Sequence, residues 1–251
     1  SLYNDKRAEL LEKLVKIAPT GLDKVFLCNS GAEAVECALK LAVKNTGKRE
    51  IVAMMGSFHG KTLGALSATW GPKYREAFQS LLIPSFKFVP FGNTEKVKEA
   101  VSEETAAIIA EPIQGESGIY VAPEGFLQSL RKICDETGTL LIFDEVQTGL
   151  GRIGRMWASQ YWNVTPDIMC IAKAMAGGVP MGATLAKGEV MNSLKTGEHS
   201  STFGGNPLAC AASCATLDLI IEENLPERAK TLGGYFKDRL LEIQSESRIV
   251  R

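Results

Sequence analysis

TLLIFDEVQTGLG, residues 139–151, drops from an apolar run, Leu140-Leu141-Ile142-Phe143, directly into two carboxylates, Asp144-Glu145. The run is too short for an ordinary helix and is bounded by polar residues, which is how a buried strand of a parallel sheet reads. Ligands of open α/β sheets bind beyond the carboxyl ends of the strands, so Asp144 stands where chemistry is usually done. About one strand–loop unit later, Pro166-Asp167-Ile168-Met169-Cys170-Ile171-Ala172-Lys173 repeats the pattern, with Gly177-Gly178 close behind. Taken singly, each terminal charge reads equally well as an ordinary solvated strand end.

The neighbouring sequence alternates strand and helix patterns. Asn4 or Asp5 can cap a helix whose apolar face is Leu10, Leu11, Leu14, Val15 and Ile17, stopped by Pro19-Thr20-Gly21. Val25–Cys28 reads as a strand. Ser30 followed by Glu33 fits a capping box opening a helix to about Asn45. Ile51–Met55, Phe86–Val89 and Ala106–Ala110 read as strands; Thr94–Val101 and Glu124–Thr137 read as helices. Leu208–Ile221 is a small-residue helix expected to be buried, and Leu225–Ile243 a more charged one. The expected class is α/β with a largely parallel sheet and helices on both faces.

Composition narrows the function classes. The 251 residues hold 28 Lys+Arg against 29 Asp+Glu, so no basic surface points to nucleic acid. No apolar run approaches the ~20 residues of a membrane helix. The six cysteines lack metal-type CxxC spacing and sit mostly in apolar runs, which suits buried thiols in a reducing, cytoplasmic setting.

Four further stretches carry polar groups at strand or helix ends. Ser30-Gly31-Ala32 places free N–H groups and a positive helix end where a phosphate fits, and equally forms a simple N-cap. Phe58-His59, in a glycine-bracketed loop, offers a ring to stack on a cofactor or a core phenylalanine beside a surface histidine. The lone histidine makes no metal site. Glu111 and Glu116, in EPIQGE, serve acid–base work, cation binding or a solvated turn. Residues 199–207, HSSTFGGNP, suit a phosphate or a flexible loop. With Asp144 and Lys173 they suggest a site in which the lysine carries pyridoxal phosphate and the aspartate pairs with the pyridinium nitrogen.

Six motifs in order, NSGAEA (29–34), SFHGKT (57–62), EPIQGE (111–116), DEVQTG (144–149), Ala172-Lys173 and STFGGNP (201–207), closely resemble class III pyridoxal-phosphate aminotransferases, over essentially the whole chain. SATW (67–70) with PKY (72–74) favours the acetylornithine and acetyl-lysine aminotransferases, enzymes of arginine and lysine biosynthesis. The resemblance implies a fold-type I large domain over residues 1-221 and the beginning of a small C-terminal domain over 222-251. It implies transfer of an ω-amino group to 2-oxoglutarate by a ping-pong route in a homodimer that shares its sites. Lys173 would carry the cofactor and shuttle a proton, and Asp144 would keep the pyridine nitrogen protonated. Ser30, Gly31 and Ala32 would hold the phosphate, joined by Thr202 of a neighbouring subunit. Phe58 and Val146 would pack the two ring faces, and Gln147 would bond the phenolic oxygen. His59 and Glu111 count among the cofactor-binding positions, and Lys61, Glu116 and Ser201 among the substrate-binding ones.

Two departures bear on the substrate. The family has arginine where Lys61 stands, and lysine keeps the charge without the bidentate fork. The family's N-terminal segment, and most of its small domain with a second carboxylate-binding arginine, are expected to lie outside these residues. The rival readings are 4-aminobutyrate or ornithine transamination, an aminomutase, and a chain that binds cofactor without turnover.

Overall fold

The structure is a computed structural model describing residues 3–247. In chain order it runs α1 (Asp5–Ile17), β1 (Lys24–Cys28), α2 (Gly31–Thr46), β2 (Glu50–Met54), α3 (Leu63–Ala68), α4 (Pro72–Arg75), β3 (Phe86–Val89), α5 (Thr94–Ala100), β4 (Thr105–Ala110), β5 (Ile113–Gln114), β6 (Tyr120–Val121), α6 (Phe126–Thr137), β7 (Leu140–Asp144), α7 (Ser159–Trp162), β8 (Ile168–Ile171), β9 (Gly182–Ala186), α8 (Gly188–Met191), α9 (Pro207–Glu222) and α10 (Leu225–Glu246), with 3-10 turns at Glu76–Leu81 and Lys173–Ala176. Seven strands form one sheet in the order β1-β9-β8-β7-β4-β2-β3, and β5 and β6 pair as a separate hairpin. Within the seven, β3, β2, β4, β7 and β8 run parallel, while β9 lies antiparallel to both β8 and β1.

Strand alternation sorts the core into two layers. Ile51, Ala53, Ala107, Ile109 and Ile142 point to the face covered by α2. Their chain neighbours Val52, Met54, Ile108, Ala110, Leu141 and Phe143 point to the face covered by α6. Successive side chains of a strand leave on opposite sides, so a sheet covered on both faces needs the continuous apolar runs seen here. A third cluster joins α1 and α9 to β1, β8 and β9 through Leu10, Leu14, Met169, Leu185 and Leu217.

Local signals place most helix ends. The Asn4 side chain accepts from Arg7 N–H at the start of α1, and the Ser30 side chain accepts from Glu33 N–H at the start of α2. The reciprocal half of the expected capping box is shifted: Glu33 reaches past the N-cap to Asn29, accepting from its backbone and side-chain N–H at 2.9 Å each. Three expectations need correction. Helix α6 begins at Phe126, not Glu124, because Gly125 takes a left-handed conformation just before it. Strand β9, GATLA, was not expected from its small residues, yet it is wholly buried. A Cβ on Gly182 would lie 2.6 Å from Ser30 O, so a larger residue there would displace the turn that begins α2. Helix α9 is buried on one face only, through Cys210, Ser213, Cys214 and Leu217, while Leu208 is 73% exposed. Among the described residues no helix is long and apolar enough to cross a membrane.

Opposite the carboxyl ends of the strands, Asp167 ties β7 to β8. Its Oδ2 accepts from Leu141 N–H at 2.7 Å and from Arg131 at 2.8 Å, and Lys187 approaches Oδ1 at 2.6 Å. Burial alone would raise its pKa; the Leu141 N–H, Lys187 and Arg131 outweigh burial and hold it below the usual 3.8. Such a depressed carboxylate adds stability above its unfolded pKa that is lost as pH falls through the folded value. Asp167→Asn should therefore cost about 3 kcal/mol at pH 7, the low end for a broken buried pair because Lys187 is partly exposed. Urea denaturation should show this difference shrinking below pH 3.8 as the wild-type carboxyl protonates.

Candidate active site

The carboxyl ends of β7 and β8, the N-terminus of α2 and the loop after β2 enclose a cavity of about 510 Å³. It is lined by Ser30, Gly31 and Ala32, by Phe58, His59 and Lys61, by Glu111 and Glu116, and by Asp144, Val146, Gln147 and Lys173. Residues up to 150 positions apart in sequence thus share one chamber because parallel strands deliver their ends to one edge. Ser201 and Thr202 are not among them. They line a separate pocket with Arg7, Phe26 and His199.

At the floor, Asp144 ends β7 and is 4% exposed. Its Oδ1 accepts from Val146 N–H at 3.0 Å, and its Oδ2 lies 2.7 Å from His59 Nδ1. Burial lowers the His59 pKa, but the Asp144 hydrogen bond, the Asp144 charge and the Glu111 charge together raise it. A proton on Nδ1 thus faces Asp144, which fixes the imidazole and the carboxylate against each other. His59 Nε2 is buried with no partner.

Glu111 joins two walls. Its Oε1 accepts from Phe58 N–H at 2.8 Å and its Oε2 from Gly115 N–H at 3.3 Å, so one side chain holds the loop bearing Phe58 and His59 to the strand leading to Glu116. Burial pushes its pKa up to about 7, with Asp144 adding and His59 opposing.

The lysine wall is strained. Lys173 has φ 40°, a left-handed conformation that side chains disfavour, and it is reached from Ala172 at the end of β8. Its Nζ donates to Gln147 Oε1 in a close contact. Behind it, Met175 and Ala176 are buried, and Ser213 of α9 donates to Met175 O at 2.8 Å. The N-terminus of α2 faces the same space. Ser30 caps Glu33 N–H, while helix geometry leaves the Gly31 and Ala32 N–H groups without intrahelical acceptors. A Cβ on Gly31 would lie 2.9 Å from Val146 Cγ1, so Val146 can pack directly against the helix end only because residue 31 has no side chain. The arrangement offers an anion cradle, a buried carboxylate, two apolar faces and an amine.

Sequence reading did not assign Val179, Pro180 and Met181, which line the cavity after Gly177-Gly178. The glycine pair was the available signal. The same reading chose Asp144 over its neighbour Glu145 but gave Glu145 no role. Glu145 turns away from the cavity and accepts from Ala158 N–H at 2.6 Å and Ser159 N–H at 2.8 Å. All six cysteines are free and buried. Burial pushes the thiols of Cys28, Cys37 and Cys134 up to about 12, which leaves them unreactive.

The sequence profile of the aminotransferase class-III family matches residues 1–251. The chain is 54% identical over 231 residues to an acetylornithine aminotransferase of Methanopyrus kandleri, covering 92% of this chain and 59% of that protein. It is 49% identical over 243 residues to a [LysW]-aminoadipate semialdehyde transaminase of Deinococcus radiodurans, covering 96% and 57%. It therefore spans less than two-thirds of the length of these relatives. Its fold superimposes on the ornithine aminotransferase of Toxoplasma gondii, which holds PLP at partial occupancy in its active site, with TM-score 0.90 and 35% identity over 95% of this chain and 58% of that one. An (S)-enantioselective ω-transaminase of Thermomicrobium roseum gives TM-score 0.91 at 31% identity, covering 96% and 61%.

Burial raises the Glu145 pKa from 4.5 to about 7 against its backbone hydrogen bonds. A carboxyl with a raised folded pKa holds a proton in the native state that the unfolded chain has released, so native stability falls as pH rises across that window. Wild-type protein should lose on the order of 3 kcal/mol between the two values through this group. Glu145→Gln cannot ionise and should lack that part of the slope, read as the difference between denaturation curves at a series of pH values.

Proposed function

The chain belongs to the class-III aminotransferases, and on that premise we propose that it binds pyridoxal phosphate and transfers an ω-amino group from an N-acylated diamino acid, of the acetylornithine or acyl-lysine type, to 2-oxoglutarate. The observation that carries this reading is the meeting in one cavity of Lys173, the His59-held Asp144 and the exposed N–H groups that begin α2. The residues fit the cofactor. The helix end suits a phosphate dianion, Val146 packs closely beside it against Gly31, and a buried carboxylate with a proton-bearing partner lies on the floor.

Pyridoxal phosphate, when bound, supplies an electron sink for the carbon that loses its proton. The chain's residues bind, orient and move protons. The Gly31 and Ala32 N–H groups would hold the phosphate, and Val146 and Phe58 would confine the ring. Asp144, fixed by His59 and by Val146 N–H, would pair with the ring nitrogen. Gln147 holds Lys173 Nζ at the cavity wall, where the amine would anchor the cofactor and would carry a proton to and from the substrate carbon. Lys61 offers a single charge to a substrate carboxylate, with Glu116 beside it at the mouth. Ser201 and Thr202, in the separate pocket, are assigned to the site of a second subunit in a homodimer. Residues 1-221 make up the cofactor-binding domain, and α10 opens a second unit after the turn at Glu223-Asn224. A cytoplasmic setting suits the six free thiols.

Absorbance of the chain with added pyridoxal phosphate tests the proposal. A band of bound cofactor should appear, bleach with N-acetylornithine and return with 2-oxoglutarate. Lys173→Ala should abolish the band's protein-linked component. Asp144→Asn should keep binding and slow bleaching by about a thousandfold, the scale of a lost catalytic electrostatic partner. A band that no amino donor bleaches would leave cofactor binding without transamination.

A further inference from the structure

Beside the mouth of the main cavity lies a side chamber of about 300 Å³, lined by Trp70, Gly71, Pro72, Lys73 and Tyr74, with Phe58 and Glu116 common to both spaces. It is built from the PKY stretch at 72–74, which none of the steps above uses. Phe58 and Tyr74 meet edge to face at 5.3 Å, so the ring wall of the main cavity continues into the chamber. Two ammonium groups flank that wall. Lys61 Nζ lies 5.6 Å from the Tyr74 ring centroid and 6.0 Å from that of Phe58, and Lys73 Nζ lies 4.5 Å from Tyr74. Among the described residues neither lysine has a carboxylate within ion-pair distance. Contact with the Tyr74 hydroxyl and, last, the charge of Glu116 raise the Lys73 pKa, so it stays cationic at neutral pH.

Two like charges gathered on one aromatic ring repel each other, and an anion between them removes that repulsion. The ring faces also attract the ammonium groups, Lys73 at the chamber and Lys61 at the main cavity beside it. Glu116, on the rim, is a like charge that an entering anion must pass.

We infer that Lys73 and Tyr74, with Lys61, form a carboxylate-binding subsite beside the cavity mouth, which receives the anionic end of an acidic substrate while its amino or keto end reaches toward Lys173. The inference rests on the proposed transamination for the word substrate, but the binding of a carboxylate does not depend on it. Lys73 is a specificity residue in this assignment and takes no part in proton transfer.

Calorimetric titration of the full 251-residue chain, loaded with pyridoxal phosphate, with glutarate tests it, because glutarate carries two carboxylates and no reactive amine or keto group. Glutarate should bind, and Lys73→Met should weaken it by about fivefold, the effect of one partly exposed charge contact. Lys73→Arg should restore binding, Glu116→Gln should tighten it, and Lys132→Met, remote on α6, should leave it unchanged. Absorbance of the same samples reads cofactor binding separately. Absence of glutarate binding by wild type, or equal binding by wild type and Lys73→Met, would overturn the subsite while a normal cofactor band leaves the transaminase reading standing. A missing band with Lys73-dependent glutarate binding would do the reverse.

Discussion

The 2.7 Å contact between His59 Nδ1 and Asp144 Oδ2 is the interaction on which the site's geometry rests. Both side chains are almost wholly out of water, at 0% and 5% exposure. A buried carboxylate is costly unless paired and hydrogen-bonded, and here a ring nitrogen and the Val146 N–H supply its partners. Because His59 rides on the loop after β2 and Asp144 ends β7, the same contact fixes that loop against the centre of the sheet. Glu111 repeats the device one layer out, bonding the same loop at Phe58 and the next one at Gly115. Three ionisable groups in a small volume settle each other's charge: His59 is pushed toward its protonated form, and Glu111 is held near neutrality.

Asp144 and Glu145 show how one step of chain separates two jobs. Asp144 faces the cavity. Glu145, the next residue, turns to the far side and secures Ala158 and Ser159. Two adjacent carboxylates look alike in sequence, and the alternation of a strand end makes one a cavity residue and the other a structural tie. The reversal of β9 is a similar case: its small residues let the turn at Ser30 approach, which brings the first N–H groups of α2 to the cavity edge.

Much of this was legible from the chain. Continuous apolar runs marked β4, β7 and β8 because strands covered on both faces need apolar side chains in every position. Asn4 and Ser30 marked helix starts because their side chains satisfy N–H groups that a helix leaves bare. The strand-end rule placed Asp144 and Lys173 near one another before any coordinates. Most of what escaped had little local signal. GATLA has little strand propensity, and only the space between β1 and β8 makes it a strand. The clasp at Glu111 depends on backbone N–H groups more than fifty residues away or across a turn, which no spacing encodes. The separation of Ser201 and Thr202 from the cavity follows from the path of the loop before α9, and that path is set by packing against β1: a Cβ on Gly204 would lie 2.4 Å from Leu27 O.

The place of β9 has a consequence for how the molecule comes together. Among the described residues strand β1 pairs only with β9, through Cys28 opposite Gly182 and Lys24 opposite Ala186. Everything from residue 29 to 181 lies between these partners, so the first strand waits unpaired until nearly the whole sheet has formed. Long-range pairing of this kind is slow because loop-closure entropy is lost before any contact repays it. The residues just before β9 carry Lys173 and the cavity wall at Val179–Met181, and the residues just after β1 are the turn that begins α2. Closing that seam therefore brings the turn that begins α2 and the wall carrying Lys173 to one edge of the cavity.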